Sequence, residues 1–576
     1  MKKRFCIYFL LFGLAISLIA CGTTSGRALT FSPGTYEATV QGYMGPITVR
    51  VAVSRNRIES VEVVDHIETK AMGTIPVELI PNRIVEAQSL AVDVITGATV
   101  TSFAILAAAE NALSQAGANI ARLRARDPRP ALAQGQDETF DVVIVGAGLA
   151  GIMAAYELRQ SNPNLSYVIV EKVDILLGAL PAAGGAITGL TSRLHRAGNA
   201  ESTIDEVYAV MQRAVSEGMG ANINRQLLAN VFGHSEIAIN RLIDWGIQFN
   251  PVPAMVYTNR VHALWGVGGG PQFAQSFLEH LAASPVNVRT GSRVTELVVR
   301  NGEVTGVRVQ DREKEYQINA RAVLLATGGF SANRDLMERF NPQYTHGVMR
   351  AHSNATGDGF RFTEQFGTRV LGTGIMGTLR VNRWTFPLPS MFYVSADGTR
   401  VFDESAPTFA MVRAAAAAGT NTFALLDSTF ADRDLLRAHL DAGFVREYAS
   451  LEALAAGEGI NRDNLLATVM AYNAAVDAGV SPGFGLPADR AIRLDTPPFF
   501  VQRLIPTWFG TIPGIEIDEN MRVLDGNGRP VPNLFAAGEL TFGNITNNRY
   551  PGIGIGVGYA VFSGTHAGSV LASMLR

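Results

Sequence analysis

The sequence predicts α+β and α/β architecture in series: a small α+β module, then a larger doubly wound α/β module. Three observations predict this. Residues largely alternate apolar and polar through Tyr36–Val53 and Ile58–Val64, and an Ala-rich amphipathic pattern follows over Ser102–Ala116. Residues 119–138, rich in Arg, Pro, Ala and Gln, hold no sustained apolar period and read as a linker. After them the β-branched run Phe140-Asp141-Val142-Val143-Ile144-Val145 opens directly into a glycine-rich turn and a helical pattern. A chain of 576 residues exceeds what one core holds.

Taken in order, the first element stands outside the fold. Met1-Lys2-Lys3-Arg4 is basic and Phe5–Ala20 is a short apolar run, together an export signal. Leu18-Ile19-Ala20-Cys21 resembles the lipobox of bacterial lipoproteins. That resemblance implies a lipoprotein signal peptide over 1–21, with Cys21 left as the lipid-bearing first residue. It also implies an exported protein of the cell envelope, held to a membrane on its periplasmic or cell-surface face. A plain signal peptide or a short anchor helix is the alternative, although the run is short for a membrane span. The 2 cysteines are Cys6, inside the signal, and Cys21, so the mature chain has no disulfide and no thiolate cluster. No metal site and no haem attachment sequence is expected. A net charge of −3 with scattered Lys and Arg gives no polyanion-binding signal, so nucleic acid is not an expected partner.

Residues 22–29 form a small polar tether to the first module, 30–118. Near its end stands Asp93-Val94-Ile95-Thr96-Gly97-Ala98-Thr99-Val100-Thr101-Ser102. Gly97 and Ala98 let a bulky group approach the backbone, and the hydroxyls can bond a phosphate or become its ester. Read from the residues alone, the stretch is also a helix N-cap before the mostly apolar run Phe103–Leu113. It resembles the attachment motif of bacterial FMN-binding domains, which esterify the flavin phosphate to a Thr side chain. The resemblance covers nearly all of the module, including Gly34-Thr35-Tyr36 and Glu68-Thr69. It implies covalent FMN at Thr99, with Asp93 and Thr96 in the same site, and a separate flavin transferase that attaches it.

In the second module Gly146-Ala147-Gly148-Leu149-Ala150-Gly151 lies between a strand and the helical pattern Ile152–Arg159. Glu171 closes the next strand, Tyr167–Val170. This is the Rossmann-type dinucleotide arrangement. The glycines Gly146, Gly148 and Gly151 allow the turn and the pyrophosphate approach, and the acid receives ribose hydroxyls. Further along come Ala182-Ala183-Gly184-Gly185, Leu324-Leu325-Ala326-Thr327-Gly328-Gly329, Ala355-Thr356-Gly357-Asp358-Gly359 and Asn533-Leu534-Phe535-Ala536-Ala537-Gly538-Glu539. In this order they resemble the FAD-binding motifs of the fumarate reductase and succinate dehydrogenase flavoprotein family. The resemblance implies non-covalent FAD touching Ala147, Ala183, Gly184, Gly185, Ala326–Gly329, Asp358, Glu539 and Ile555. The chain departs from the family at Leu176-Leu177-Gly178-Ala179-Leu180-Pro181, where Asn and Ser usually stand.

The family also places a mobile α+β capping domain within its FAD domain. By that resemblance the FAD-binding domain runs over 139–369 and 491–576, and the cap over 370–490. Closure of such a cap excludes water. Fumarate reductases of this type use an Arg proton donor and a clamp of two His and one Arg. Here Thr408 falls at the donor Arg and the Phe509–Gly514 segment lacks its histidines, so fumarate itself is not the expected substrate. Asn548-Arg549 matches the family's Asn-Arg and leaves Arg549 to pair with a carboxylate, or to serve as a structural salt bridge. Tyr550-Pro551-Gly552-Ile553-Gly554 resembles the segment by which 3-ketosteroid dehydrogenases hold a ketone oxygen. Tyr550 and Gly554 are thereby candidates to stabilise enolate charge. Tyr393, Tyr550 and His262 are the candidate proton donors. Against that reading, the two tyrosines are packed aromatics and His262 a polar loop residue.

The resemblances together imply an exported flavoprotein reductase. Electrons from a membrane donor, a quinol dehydrogenase or a cytochrome, pass through FMN to FAD and reduce an activated C=C of an unsaturated acid or enone. Urocanate reductases share this layout. Two alternatives stay open: a 3-ketosteroid-type dehydrogenase running the opposite way, and an electron-transfer flavoprotein without turnover.

Overall fold

The computed structural model describes residues 29–68, 73–95, 97–125, 132–213, 223–250, 254–256, 261–344, 348–349, 353–381, 392–402, 408–417 and 422–576. The signal and lipobox, Thr96 and the Glu404–Pro407 stretch lie outside them.

In the first module β1 (Gly34–Gln41), β2 (Pro46–Val53) and β3 (Ile58–His66) form an antiparallel sheet in that order. Alternation in β2 buries Ile47, Val49, Val51 and Val53 on one face. Helices α1 (Thr74–Ala87) and α2 (Thr99–Gln115) cover that face with Ile80, Ile84, Ile105, Ala108 and Ala112. The 119–138 segment differs from a plain linker. Leu123 is buried in the first module's core, and Ala133–Gln134 pairs with Lys314–Glu315 at the edge of the next sheet. An apolar anchor and unpaired backbone groups tack it down at both ends.

The second module opens with β4 (Glu138–Val145), α3 (Leu149–Ser161), β5 (Tyr167–Val170), β6 (Val288–Arg289), β7 (Arg293–Arg300), β8 (Glu303–Gln310) and β9 (Lys314–Leu325). The sheet order is β6-β5-β4-β9-β8-β7, parallel from β6 to β9, with β8 and β7 added antiparallel. Next come the inserted strands β10 (Ile375–Arg380), β11 (Phe392–Ser395), β12 (Thr422–Asp427), β13 (Arg446–Tyr448) and β14 (Phe499–Thr511). β14 lies past the boundary expected at 490/491, yet it ties both units together: Val348–Met349 pairs with its Thr507–Trp508. β14 pairs with β10, β12 and β13, so it is the spine of the inserted sheet. It is buried along nearly its whole length, as a strand covered on both faces must be.

The chain then returns to the first sheet. β15 (Pro530–Ala536) pairs parallel with β9, and α4 (Ile555–Met574) lies across α3. That crossing is close: a Cβ on Gly564 would sit 2.2 Å from the Ala150 carbonyl oxygen. Among the described residues no helix is long and apolar enough to cross a membrane.

The two modules share a wall. Val173 and Ile175, just past β5, pack into the first module's core with Ile95 and Ala98. Beside them the Arg83 guanidinium bonds the Asp93 carbonyl (2.7 Å) and the Asp174 carboxylate (3.2 Å), which also holds Arg312 at 2.9 Å.

Candidate active site

Four parallel strands end in register. Val145 pairs with Val170 and Leu325, and Leu325 pairs with Ala536. Residues just beyond those ends, Gly146, Glu171, Ala326–Gly329, Gly538 and Glu539, line a cavity of about 840 Å³. Ligands of open α/β sheets bind at this carboxyl edge. The turn into α3 needs its glycines. Gly146 has φ +107° and a Cβ there would lie 2.4 Å from the Ala326 carbonyl oxygen; at Gly151 it would lie 2.0 Å from that of Gly146. At Gly148 a Cβ would meet no protein atom within 4 Å, so the backbone there faces open cavity space. A pyrophosphate fits such a cradle at the start of α3.

Glu171 accepts the Ala147 N–H (2.8 Å) and the Val173 N–H (3.0 Å). Burial pushes its carboxyl above the usual range in spite of these bonds. Each oxygen keeps a second acceptor site for hydroxyl groups. Lys172, which the sequence reading passed over, lines the cavity and donates to Thr356 Oγ1 (2.6 Å) and Asp358 Oδ2 (2.8 Å). Burial raises Asp358, but Lys172, Arg293 and Arg361 outweigh it and hold the carboxyl below its usual range. Ala183, Gly184 and Gly185 line the cavity, as do Leu177–Leu180, so an apolar wall stands where the family has Asn and Ser.

The same cavity is lined by Tyr550, Ile553, Gly554 and Gly556, by Met376, Thr378, Arg380 and Phe509, and by Trp265, which lies beside Gly184. The Tyr550 hydroxyl accepts the Gly556 N–H at 3.1 Å, and burial pushes its pKa up to about 12. Phe509 falls in a β-bulge, opposite Met376 and Gly377, which aims it into the cavity. Glu539 accepts both the N–H (2.7 Å) and the hydroxyl (3.0 Å) of Thr511, and burial raises its carboxyl.

Several expected residues stand elsewhere. Arg549 is half-buried, does not line the cavity, and its carbonyl accepts the Thr546 hydroxyl. Tyr393 is buried with its ring 4.7 Å from that of Phe402. His262 lies on the strand Val261–Trp265, whose alternation turns Trp265 to the cavity and His262 away. Ala147 and Gly151 sit behind the turn, and Ile555 is buried at the start of α4. Burial and strand phase, which decide these placements, depend on partners remote in sequence.

In the first module α2 begins at Thr99, with Ala98 as N-cap and no side-chain capping bond. The Thr101 hydroxyl donates to Glu68 (2.6 Å), and Ser102 bonds the Ala98 carbonyl and the Ile95 N–H. Thr99 takes no part in those bonds and is half-buried at the helix start, where amide dipoles suit a phosphate ester. Asp93 is half-buried beside the Arg83 contact.

The fold and these two sites define a protein with two flavin-binding domains. The chain belongs to the FAD-binding domain family, whose model matches residues 141–557, and it carries an FMN-binding domain matched over 42–114. FAD and FMN are its cofactors. It is 27% identical to NADH:fumarate oxidoreductase of Klebsiella pneumoniae, over 95% of this chain and 59% of that protein. It is 26% identical to NADH:acrylate oxidoreductase of Vibrio harveyi, over 91% and 60%. Urocanate reductase of Eggerthella lenta is 24% identical, over 89% and 88%. The chain thus spans about three fifths of the first two relatives. Among solved structures it shares its fold with a flavocytochrome c3 fumarate reductase (TM-score 0.60, 22% identity, 76% of this chain and 79% of that one). It is equally close to 3-ketosteroid-Δ4-(5α)-dehydrogenase from Rhodococcus jostii RHA1 (TM-score 0.62, 20% identity, 77% and 100%). The fold therefore does not separate the acid branch from the ketone branch.

Proposed function

We propose that the protein is an envelope-anchored reductase of an activated C=C in an unsaturated acid or enone, fed through FMN at Thr99 and then FAD. The observation that carries the reading is the single cavity that joins the dinucleotide cradle to the cluster around Tyr550, Phe509 and Trp265. When bound, FAD supplies the hydride and FMN relays electrons to it. The chain's own residues bind and orient the substrate. Tyr550, with a pKa near 12, stays protonated at physiological pH and can donate to a carbonyl oxygen or to the nascent carbanion. Met376, Phe509 and Trp265 shield the reacting bond from water. The shared wall at Val173 and Ile175 supports a short route between the two flavin sites.

Lipid attachment at Cys21, a membrane donor of the quinol dehydrogenase or cytochrome type, and a flavin transferase belong to the same proposal. They rest on the signal-like start and the Thr99 motif. Because Tyr550 and Gly554 both line the cavity, a ketone-bearing substrate is the second reading.

Anaerobic oxidation of reduced viologen by the full chain, given fumarate, urocanate, aryl acrylates and cyclic enones, tests the proposal. Turnover on an acid or an enone is expected, and silence across the panel with both flavins reducible would overturn it. Thr99→Ala is expected to remove the flavin fluorescence that survives on a denaturing gel while FAD content is kept. Fluorescence persisting in that variant would exclude Thr99 as the attachment site.

A further inference from the structure

Just past β5, residues 171–175 serve two sites at once. Glu171 is the acid that the dinucleotide motif assigns to a ribose, and it is tied to the cradle through the Ala147 N–H (2.8 Å). Val173 and Ile175 line the same cavity, yet both are buried in the core of the first module with Ile95 and Ala98. Ala98 is the N-cap of α2 and directly precedes Thr99, the proposed FMN attachment residue. The segment therefore forms a wall of the FAD cavity on one side and a bearing for the FMN-bearing module on the other.

Backbone bonds from the second module hold the ends of this segment. The Ser292 N–H reaches the Glu171 carbonyl (2.8 Å), the Gly291 N–H the Val173 carbonyl (3.1 Å), and the Leu177 N–H the Ala147 carbonyl (2.8 Å). Its middle is held from the first module. Arg83 Nη2 donates to the Asp174 carboxylate at 3.2 Å, and Arg83 Nη1 to the Asp93 carbonyl at 2.7 Å. One guanidinium thus fastens α1, the Asp93 turn and the cavity wall. The side chains of Arg83 and Asp174 are only 19% and 17% exposed, so the pair is screened less than a surface pair. Arg312, the other partner of Asp174 at 2.9 Å, comes from the second module and is 51% exposed. The better sheltered bond is the one that crosses between modules.

We infer that the docked first module holds the ribose-side wall of the FAD site, and that Arg83 and Asp174 are positioning residues for FAD retention. Undocking frees the middle of the 171–175 segment, and Glu171 then loses the fixed placement that a ribose contact needs. Linkage makes the effect reciprocal: bound FAD favours the docked module. The inference concerns how the chain keeps its cofactors and stands whatever the substrate.

The test is the rate at which the full-length, two-flavin protein loses FAD on dilution. FAD per chain is read by chromatography of the acid-released flavin after rapid desalting, and FMN is scored separately, so the readout needs no turnover. Arg83→Gln is expected to speed FAD loss by about fivefold or more, the low end of an ordinary coupling between two sites. Asp174→Asn is expected to match it, and the double variant to be no faster than either single one, because all three break one contact. Arg312→Gln keeps the bond between modules and is expected to stay within about twofold of wild type. Arg83→Lys keeps the charge but not the fork, and an intermediate rate is expected. Rising salt is expected to speed loss from wild type more than from Arg83→Gln, a response that a purely packing role does not give. Wild-type retention in Arg83→Gln would overturn the inference. Equal acceleration by Arg312→Gln would overturn it too, marking a local effect on the segment rather than one of docking. If Arg83→Gln does not fold, wild-type retention in Arg83→Lys together with a flat salt response of the wild type would overturn it.

Discussion

Asp358, which is buried, and Glu539, which is half-buried, both line the cavity and shift in opposite directions, Asp358 downward through its cationic neighbours and Glu539 upward through burial. Asp358 is held low by Lys172, so its stabilising contribution is present above the unfolded carboxyl pKa and fades as pH falls through the folded value. Glu539 is raised by burial, so its contribution is present at acid pH and fades as pH rises through its folded value. Asp358→Asn is therefore expected to cost about 2 kcal/mol at neutral pH and progressively less as pH falls below the ordinary carboxyl value of 3.8. Glu539→Gln should instead flatten the loss of stability above about pH 4.5. Denaturation across pH reads both, and parallel profiles for the two variants would contradict the assignment. Both acids were legible in the sequence because they sit in motifs. Lys172 and Arg380 were not, because a basic residue declares its burial only through partners brought by other strands.

At the scale of elements, the strand–turn–helix around Gly146 followed directly from a β-branched run meeting three glycines. Its sharpest requirement is the Gly151 contact, where α3 rests on the turn it leaves. Gly151→Ala is expected to cost about 1–3 kcal/mol and to lower FAD content, measured by thermal melt and by flavin absorbance per chain. An unchanged melt with full FAD would show that the turn can move aside. The inserted sheet was less legible. The pairing of β14 with strands of both units was not legible, because a strand buried on both faces has no alternation to reveal its neighbours. The same limit applies to His262, whose strand phase turns it from the cavity, and to Tyr393, which is buried against Phe402.

For the whole molecule, the joint between modules sets how electrons would travel. Arg83 bridges Asp93, in the proposed FMN motif, to Asp174, beside the cavity-lining Val173 and Ile175. Arg83→Ala is expected to loosen this joint and speed tryptic cleavage after Arg124 by about threefold or more, with wild type approaching the variant as salt rises. Identical cleavage rates would mean that apolar packing alone holds the modules. The two-module plan was legible from the interruption at 119–138, but the docking was not, because nothing in the sequence around Val173 and Ile175 marks them as packing against another module.

The most direct measurement is an electron count. Full-length protein, its flavins fully reduced and freed of excess reductant, is mixed anaerobically with each member of the acid and enone panel and the saturated product is quantified. The account predicts about two molecules of product per chain from the wild type and about one from Thr99→Ala, since each flavin stores one reducing pair. One product per chain from the wild type would contradict the relay through FMN, and none from either protein would contradict the reductase itself.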